Sequence, residues 1–305
     1  MKKELSAQGG SASGRKILIG LLIVVLIVWF LVLNQRPGRI LETDFLNVGQ
    51  GDAVLIKTPK GQTVLIDGGP DNKVLEKLSK YFQPLQKRID IIILTHPHAD
   101  HVTGLIEVLR RYGIGLVILS GAEIKTDVYA EFLKAAKTNS VQILIAEAGQ
   151  AIHFDDNLEF DVLSPANSDR KVFNKKSEGF GSGGNDVNNS SIVGKLIYNN
   201  FSIMFMADAT SKIENQLLAY GDNLKSDILK VGHHGSKYSS FTNFLSAVSP
   251  KVGIIEVGAK NFYGHPSPAA LSRLGMFNVN IFRTDQNGDI RVLSNGFTTN
   301  IYKEK

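Results

Sequence analysis

Cysteine is absent from the 305 residues. No disulfide can staple this fold, and no thiolate can hold a metal or attack a substrate. A bound cation would have to be held by histidine, carboxylate or amide groups. A strong excess of one charge is missing too. The formal net charge is +5, and setting aside Lys2, Lys3, Arg15 and Lys16 together with Glu4 removes three of those five charges. A body so nearly neutral offers no bulk electrostatic argument for nucleic acid, and no aromatic-rich basic groove is evident in the chain order. What is present in quantity is hydrophobic content, 43% of the chain, ample for the core of one large domain or two modest ones.

One uncharged apolar run stands out, the seventeen residues Ile17 to Leu33. It is at the short end for a bilayer-spanning helix. No small-x-small cleavage site follows it in Asn34-Gln35-Arg36-Pro37-Gly38-Arg39, so an uncleaved signal anchor is expected rather than a cleaved leader. The polar, Gly/Ser-containing residues 1–16 read as a flexible cytoplasmic tail and 34–40 as a linker. Lys2, Lys3, Arg15 and Lys16 before the run outnumber Arg36 and Arg39 after it. That places the N-terminus in the cytoplasm and the body on the outer face of the cell membrane.

From Leu41 the pattern becomes strands, at 41–48, 53–58 and 63–67, and Asp67-Gly68-Gly69 closes the third. The paired glycines there admit a close backbone approach that side chains would block. A helix is expected over 74–82, then the apolar strand Ile89–Leu94, whose β-branched run suits a strand buried on both faces. Helix and strand alternate at 102–112, 116–119, 128–137 and 141–146, followed by an antiparallel pair at 151–154 and 158–163. A hairpin at 191–198 and 201–207 turns about Asn199-Asn200. The alternation then resumes at 212–220, 228–231, 241–248, 252–257 and 269–276. Two closing strands, 280–283 and 290–293, flank the turn Asp285-Gln286-Asn287-Gly288. Two similar αβ halves packed sheet to sheet with helices outside account for this order. Residues 167–186 break the rhythm. With Arg170, Lys171, Lys175 and Lys176 ahead of a glycine-rich stretch, they read as a mobile insertion or as a basic flap.

The chemistry concentrates in Thr95-His96-Pro97-His98-Ala99-Asp100-His101, directly after the Ile89–Leu94 strand. Pro97 keeps His96 extended, which lets His96 and His98 project to the same side. Three imidazoles and a carboxylate within six residues form the donor set preferred by zinc, manganese or iron. Six of the seven histidines fall in three such stretches, the others being His233-His234 ahead of Gly235-Ser236, and His265 before Pro266. Asp208 ends a further apolar strand. His153, within a strand and beside Phe154, has no such company and reads as structural.

This constellation resembles the metallo-β-lactamase fold superfamily and, within it, the hydrolase domain of the bacterial competence protein ComEC. The matching stretches are Phe45 to Asp52, Leu65 to Gly69, Thr95 to His101, Asn188 to Ser191, Val231 to Ser236, Tyr263 to Pro266 and Arg283 to Asp285. They lie in the family's order over roughly residues 41–295. The resemblance implies a four-layer αβ/βα sandwich, which would fill 41–305 behind the transmembrane helix read from the apolar run. It also implies two divalent metal ions, zinc or manganese. His96 and His98 would take the first, and Asp100, His101 and His233 the second, with Asp208 bridging them and His234 the alternative to His233. A third histidine usual in the superfamily's first site is replaced here by Asn188 or Asn189, a weaker ligand that leaves that site's occupancy open.

Asp67 would orient a ligand from behind, or serve as an ordinary strand-end turn residue. Gln50 and Asp52 lie in a Gly-rich turn whose amides could cup a phosphate. Paired metals would lower the pKa of a shared water from 15.7 toward roughly 7, with Asp100 handling the proton. His265 and Ser236 would hydrogen-bond the substrate oxyanion or leaving group. The expected function is a membrane-anchored phosphodiesterase or nuclease acting on DNA or RNA through a metal-activated hydroxide, related to DNA uptake and partnered by a separate channel protein. The alternatives are a hydrolase of a small ester, lactone or phosphate, and a weakly catalytic metal-binding partner subunit.

Overall fold

The computed structural model describes residues 12–34, 40–83, 85–166 and 187–305. The expectations placed on the tail before residue 12, on linker residues 35–39 and on the 167–186 insertion lie outside the described residues. Two compact units are distinguished, Met1–Gly38 and Arg39–Lys305. The first contains helix α1, Ala12–Asn34, whose large apolar side chains from Ile17 to Phe30 are exposed. Its helical start includes Arg15 and Lys16. Among the described residues no helix is long and apolar enough to cross a membrane.

The second unit is built on two sheets. Strands β1 (Leu41–Phe45), β2 (Val54–Lys57), β3 (Thr63–Ile66), β4 (Arg88–Leu94), β5 (Gly113–Leu119) and β6 (Gln142–Ile145) join β14 (Ile290–Ser294) and β15 (Thr299–Lys303) in the order β15-β14-β1-β2-β3-β4-β5-β6. The second sheet has β7 (Ala151–Asp155), β8 (Leu158–Ser164), β9 (Val193–Tyr198), β10 (Phe201–Phe205), β11 (Ile228–Lys230), β12 (Val252–Ile255) and β13 (Asn280–Arg283), in the order β13-β12-β11-β10-β9-β8-β7. Phe45, Ile93, Phe160, Ile203 and Phe205 belong to the apolar layer between the sheets. Helices α2 (Lys73–Tyr81), α3 (Ala99–Arg111) and α4 (Asp127–Thr138) cover the first sheet's outer face. Helices α5 (Ser211–Leu217), α6 (Thr242–Val248) and α7 (Pro268–Met276) cover the second. The layer order is therefore αβ/βα, as expected, and β4 shows why its run is apolar throughout. Ile91 and Ile93 face the inter-sheet layer, and Ile92 and Leu94 face the helices.

Strands β3 to β6 run parallel, as do β10 to β13. The carboxyl ends of β3, β4, β10, β11 and β12 carry Asp67, the His96 cluster, Asp208, His233-His234 and the His265 loop. In α/β sheets that is where ligands bind.

Several boundaries shift by a few residues, and three departures from expectation have a structural reason. The first strand stops at Phe45 because the chain turns through Gly49 and Gly51, at φ 93° and 148°. Helix α3 begins at Ala99, so Asp100 and His101 lie in its first turn and not in a loop, with His98 extended at the N-cap. A carboxylate there also meets the positive end of the helix dipole. The strands expected to flank a terminal turn sit in different sheets, joined by the short helix α8 (Thr284–Asn287). Strand β15 was not legible, because its alternation of Thr299, Asn300, Ile301 and Tyr302 is too polar to mark a core face.

Candidate metal centre

Asp208 is the point on which the histidines converge. Its Oδ1 lies 3.5 Å from His101 Nε2 and 3.6 Å from His234 Nε2. Its Oδ2 lies 3.9 Å from His96 Nε2 and 3.7 Å from His233 Nε2. On the first side Asp100 Oδ2 closes the group, 3.4 Å from His234 Nε2 and 3.9 Å from His101 Nε2. On the second, His96 Nε2 and His98 Nδ1 are 3.1 Å apart, and Asn188 Nδ2 is 3.4 Å from His233 Nε2.

Each residue arrives on a local device. Asp67, Ala207, His233 and His234 hold positive φ of 57°, 44°, 48° and 51°. Non-glycine residues rarely adopt that conformation, and it concentrates at functional sites. The His233 amide donates to Ala207 O at 2.8 Å, tying the β11 turn to the Asp208 turn. Ile192 N donates to Thr95 O at 2.9 Å, tying the Asn188 segment to the histidine loop.

Behind the imidazoles stands a set of partners that fixes their rings. His101 Nδ1 is 2.8 Å from Asp67 Oδ2, and Asp67 in turn accepts from Thr95 N at 2.8 Å and Thr95 Oγ1 at 2.7 Å. His234 Nδ1 is 2.8 Å from the Glu256 carbonyl and 3.2 Å from Asp52 Oδ1. Asp52 is ion-paired through Oδ2 with the buried Lys230 ammonium. With each Nδ1 so engaged, the Nε2 atoms of both rings are left to face Asp100 and Asp208, the arrangement that orients metal-binding histidines.

The electrostatics agree. Burial, the largest influence, would drive His101 and His234 down, but the surrounding carboxylates, Asp208 first among them, hold both well above the ordinary histidine value. Burial raises Asp208, yet His234 and His101 together hold it well below the usual carboxylate range. Burial, then the charge of His101, pulls His96 and His98 down. Burial, then His233, pushes His265 down to about 4, so its ring is neutral near pH 7.

Does a cation fit here? His101 Nε2, His234 Nε2, Asp208 Oδ1 and Asn188 Oδ1 are buried without a hydrogen-bond partner. Uncompensated buried polar atoms are costly, and these converge. Asp100, His101, Asp208 and His234 offer ligand atoms all within 4.8 Å of one another. The donor set is imidazole and carboxylate, suited to zinc, manganese or iron. The residues present fit a divalent ion.

Of the adjacent pair, His234 and not the preferred His233 joins Asp100 and His101; His233 stands on the His96 side of Asp208. Asn188 faces the site, whereas Asn189 Oδ1 accepts from Thr210 N and Thr210 Oγ1 at 3.2 and 2.7 Å and serves the fold. A cavity of about 300 Å³ opens over the centre, lined by Gln50, His98, Ala99, Asp100, Asn188, Asp208, His233, His234, Tyr263 and His265. Ser236 does not line it; its Oγ accepts from Tyr238 N at 3.3 Å within its own turn. Gln50 reaches the cavity, and its Oε1 also accepts from Gly258 N at 3.1 Å. His153 lies away from the site, exposed and paired with Glu159 at 3.1 Å.

Sequence reasoning missed Thr95, Lys230 and Glu256 as supports. The signal was there for Lys230: it interrupts the otherwise apolar run Ile228-Leu229-Lys230-Val231, where a lone charge must find a buried partner. Glu256 supports the ring through its backbone carbonyl, which no side-chain pattern marks.

Comparison with known proteins follows the same line. Residues 46–258 match the family model described as the metallo-beta-lactamase superfamily. The chain is 28% identical over 267 residues to ComE operon protein 3 of Bacillus subtilis (strain 168), covering 82% of this chain and 32% of that protein. It is 28% identical over 274 residues to Recombination protein 2 of Haemophilus influenzae, covering 88% of this chain and 31% of that one. The chain thus spans about a third of the length of these relatives. Among solved structures, a mutant of CmlA beta-hydroxylase superposes with a TM-score of 0.51 at 14% identity, over 82% of this chain and 53% of that one, a likeness of fold alone.

Proposed function

The chain belongs to the metallo-beta-lactamase superfamily, and from that premise we propose that it is a membrane-anchored phosphodiesterase that cleaves DNA or RNA in the course of DNA uptake. Metal-dependent hydrolysis is the ground the proposal stands on. It is carried by the single Asp208 carboxylate, which faces a histidine group with each of its oxygens. Such a carboxylate is suited to serve two cations at once.

When bound, a pair of divalent ions supplies Lewis acidity to a phosphoryl oxygen and lowers the pKa of water. The protein's own groups do the rest. Asp208, with Asp100, His101 and His234 on one side and His96, His98, Asn188 and His233 on the other, would hold the ions. Asp67 and Asp52 fix the rings from behind. His265, neutral near pH 7 and lining the cavity, is placed to donate a hydrogen bond to a phosphoryl or leaving oxygen. The competence and recombination proteins that this chain resembles support nucleic acid over a small ester. The anchor rests on the uncharged run Ile17–Leu33 and its flanking charges alone, since no described helix is long and apolar enough to cross a membrane; the N-terminus would be cytoplasmic and the body outside.

The test is turnover by the full chain, with manganese or zinc, on single-stranded DNA and on bis(p-nitrophenyl) phosphate. Cleavage of both, lost in Asp208→Ala, is expected. Turnover of the small ester alone moves the assignment to a small-substrate hydrolase, and metal binding without turnover of either leaves a metal-binding subunit. Protease protection in intact cells checks the orientation.

A further inference from the structure

We propose that Phe262 and Tyr263 form a nucleobase-stacking subsite at the mouth of the metal centre, so that the substrate strand is gripped through an unpaired base beside the phosphate to be cut. The inference rests on the phosphodiesterase reading above and adds the chemical feature by which a strand is selected. Phe262 is wholly exposed, at 103%, and Tyr263 is 72% exposed while lining the cavity. Single exposed apolar side chains are ordinary on protein surfaces. A fully bare phenyl ring next in sequence to a cavity-lining aromatic is a different case.

The loop that carries the two rings is shaped in advance. Asn261 Nδ2 donates to Gly258 O at 2.9 Å and to His265 O at 2.7 Å, and Asn261 Oδ1 accepts from His265 N at 2.9 Å. One side chain thus closes the loop on both sides of the pair, and a loop held ready loses less freedom on binding. The Tyr263 ring stacks on His265 at 5.9 Å and 20°, and His265 meets His233 edge-on at 5.5 Å. A line of flat rings therefore runs from the surface to the histidines around Asp208.

The neighbouring loop repeats the chemistry. Ser267 N donates to Gly235 O at 2.8 Å, joining the two loops. The second presents Tyr238 with Lys237 Nζ 5.0 Å from its ring, and Phe241 with the Arg273 guanidinium at 4.7 Å. Residues 231–241 and 257–268 contain no aspartate or glutamate, and they add Lys237 and Lys260, both exposed. Flat rings interleaved with cations, on segments with no acid of their own, suit a polyanion that bears flat rings. Duplex bases are already stacked on one another, so the faces this subsite needs are offered by an unpaired strand. Because Tyr263 lines the same cavity as Asp208 and His233, the occupant of this surface is whatever enters that cavity. That favours the substrate over a lipid surface or a docking protein.

The test compares the full chain with Phe262→Ala and Phe262→Trp, with manganese, on an oligothymidylate and on an abasic strand of the same length. The wild type is expected to show a lower KM for the strand with bases. Phe262→Ala should shrink that preference on the order of tenfold, and Phe262→Trp should restore it. An unchanged ratio, or equal loss on both strands, overturns the subsite while leaving the phosphodiesterase standing. Loss of partition onto anionic vesicles with the ratio unchanged reassigns the rings to a membrane surface and overturns it too. No turnover of either strand by the wild type removes the function itself, and the subsite with it.

Discussion

Replacing Lys230 with methionine isolates the support behind His234. The side chain is 2% exposed and its ammonium is paired with Asp52, itself 3% exposed, across the two sheets. Burial raises the Asp52 carboxyl and the Lys230 charge is the largest influence against it, holding the group at about 2. Lys230→Met keeps most of the side-chain volume and strands that carboxylate. Breaking a buried pair on one side costs about 3–5 kcal/mol. The double variant Lys230→Met, Asp52→Asn removes both charges and should recover most of the loss, because the main cost is the uncompensated ion and not the missing attraction. Urea denaturation of the full chain with metal chelated, at neutral pH, reads both quantities. Manganese titration of the same proteins reads the ring, since loss of an outer partner typically weakens metal binding about 10- to 100-fold. A single-variant loss below about 1 kcal/mol, or a double variant as unstable as the two singles summed, would show that the ammonium is not compensating Asp52 and would refute the reasoning.

Three further outcomes follow from named contacts. Thr95→Val removes the hydroxyl that donates to Asp67 Oδ2 at 2.7 Å; manganese affinity measured by titration calorimetry should fall about tenfold, and an unchanged affinity would separate Asp67 from the metal centre. Glu214 is buried and pushed up to about 7, chiefly by burial, against the acceptor role it plays to Ser240 N and Phe241 N. A carboxyl raised above its ordinary 4.5 contributes stability that is fully present below that pH and lost as pH climbs through about 7. The shift corresponds to roughly 3 kcal/mol, and Glu214→Gln should flatten that part of the pH–stability curve; an identical slope in the variant would contradict it. At Gly104 an added Cβ would stand 2.0 Å from Gly68 O and 2.7 Å from Asp71 O. Gly104→Ala should therefore cost about 2 kcal/mol or more and lower metal retention with it, which thermal melting with and without chelator would detect.

Much of the site was legible because its residues come in dense local clusters. Three histidines and an aspartate after one apolar strand cannot be mistaken for core, and the β-branched runs around them marked the parallel strands. Where spacing was silent the sequence could not choose. Adjacent His233 and His234 differ by one backbone step, and two successive residues at positive φ turn their rings to opposite oxygens of Asp208. Asn188 and Asn189 likewise divide, one to the centre and one to Thr210. The polar alternation of β15 and the chain's crossing from β13 to β14 left no mark in the pattern. Phe262 and Tyr263 lie some twenty-five positions from Tyr238 and Phe241, and only tertiary structure joins the two loops that carry them, through Ser267 N and Gly235 O.

The order of residues alone determined which chemistry is available to this protein. With no cysteine and with six histidines grouped beside strand-end aspartates, it is restricted to imidazole, carboxylate and amide donors on an α/β frame. Tertiary structure decided which atoms of those groups meet. Ligand geometry depends on ring orientation to within a few tenths of an ångström. That orientation is set by partners such as Asp67, Asp52, Lys230 and Glu256, brought from distant strands by the packing of two sheets, a distance that no local pattern records.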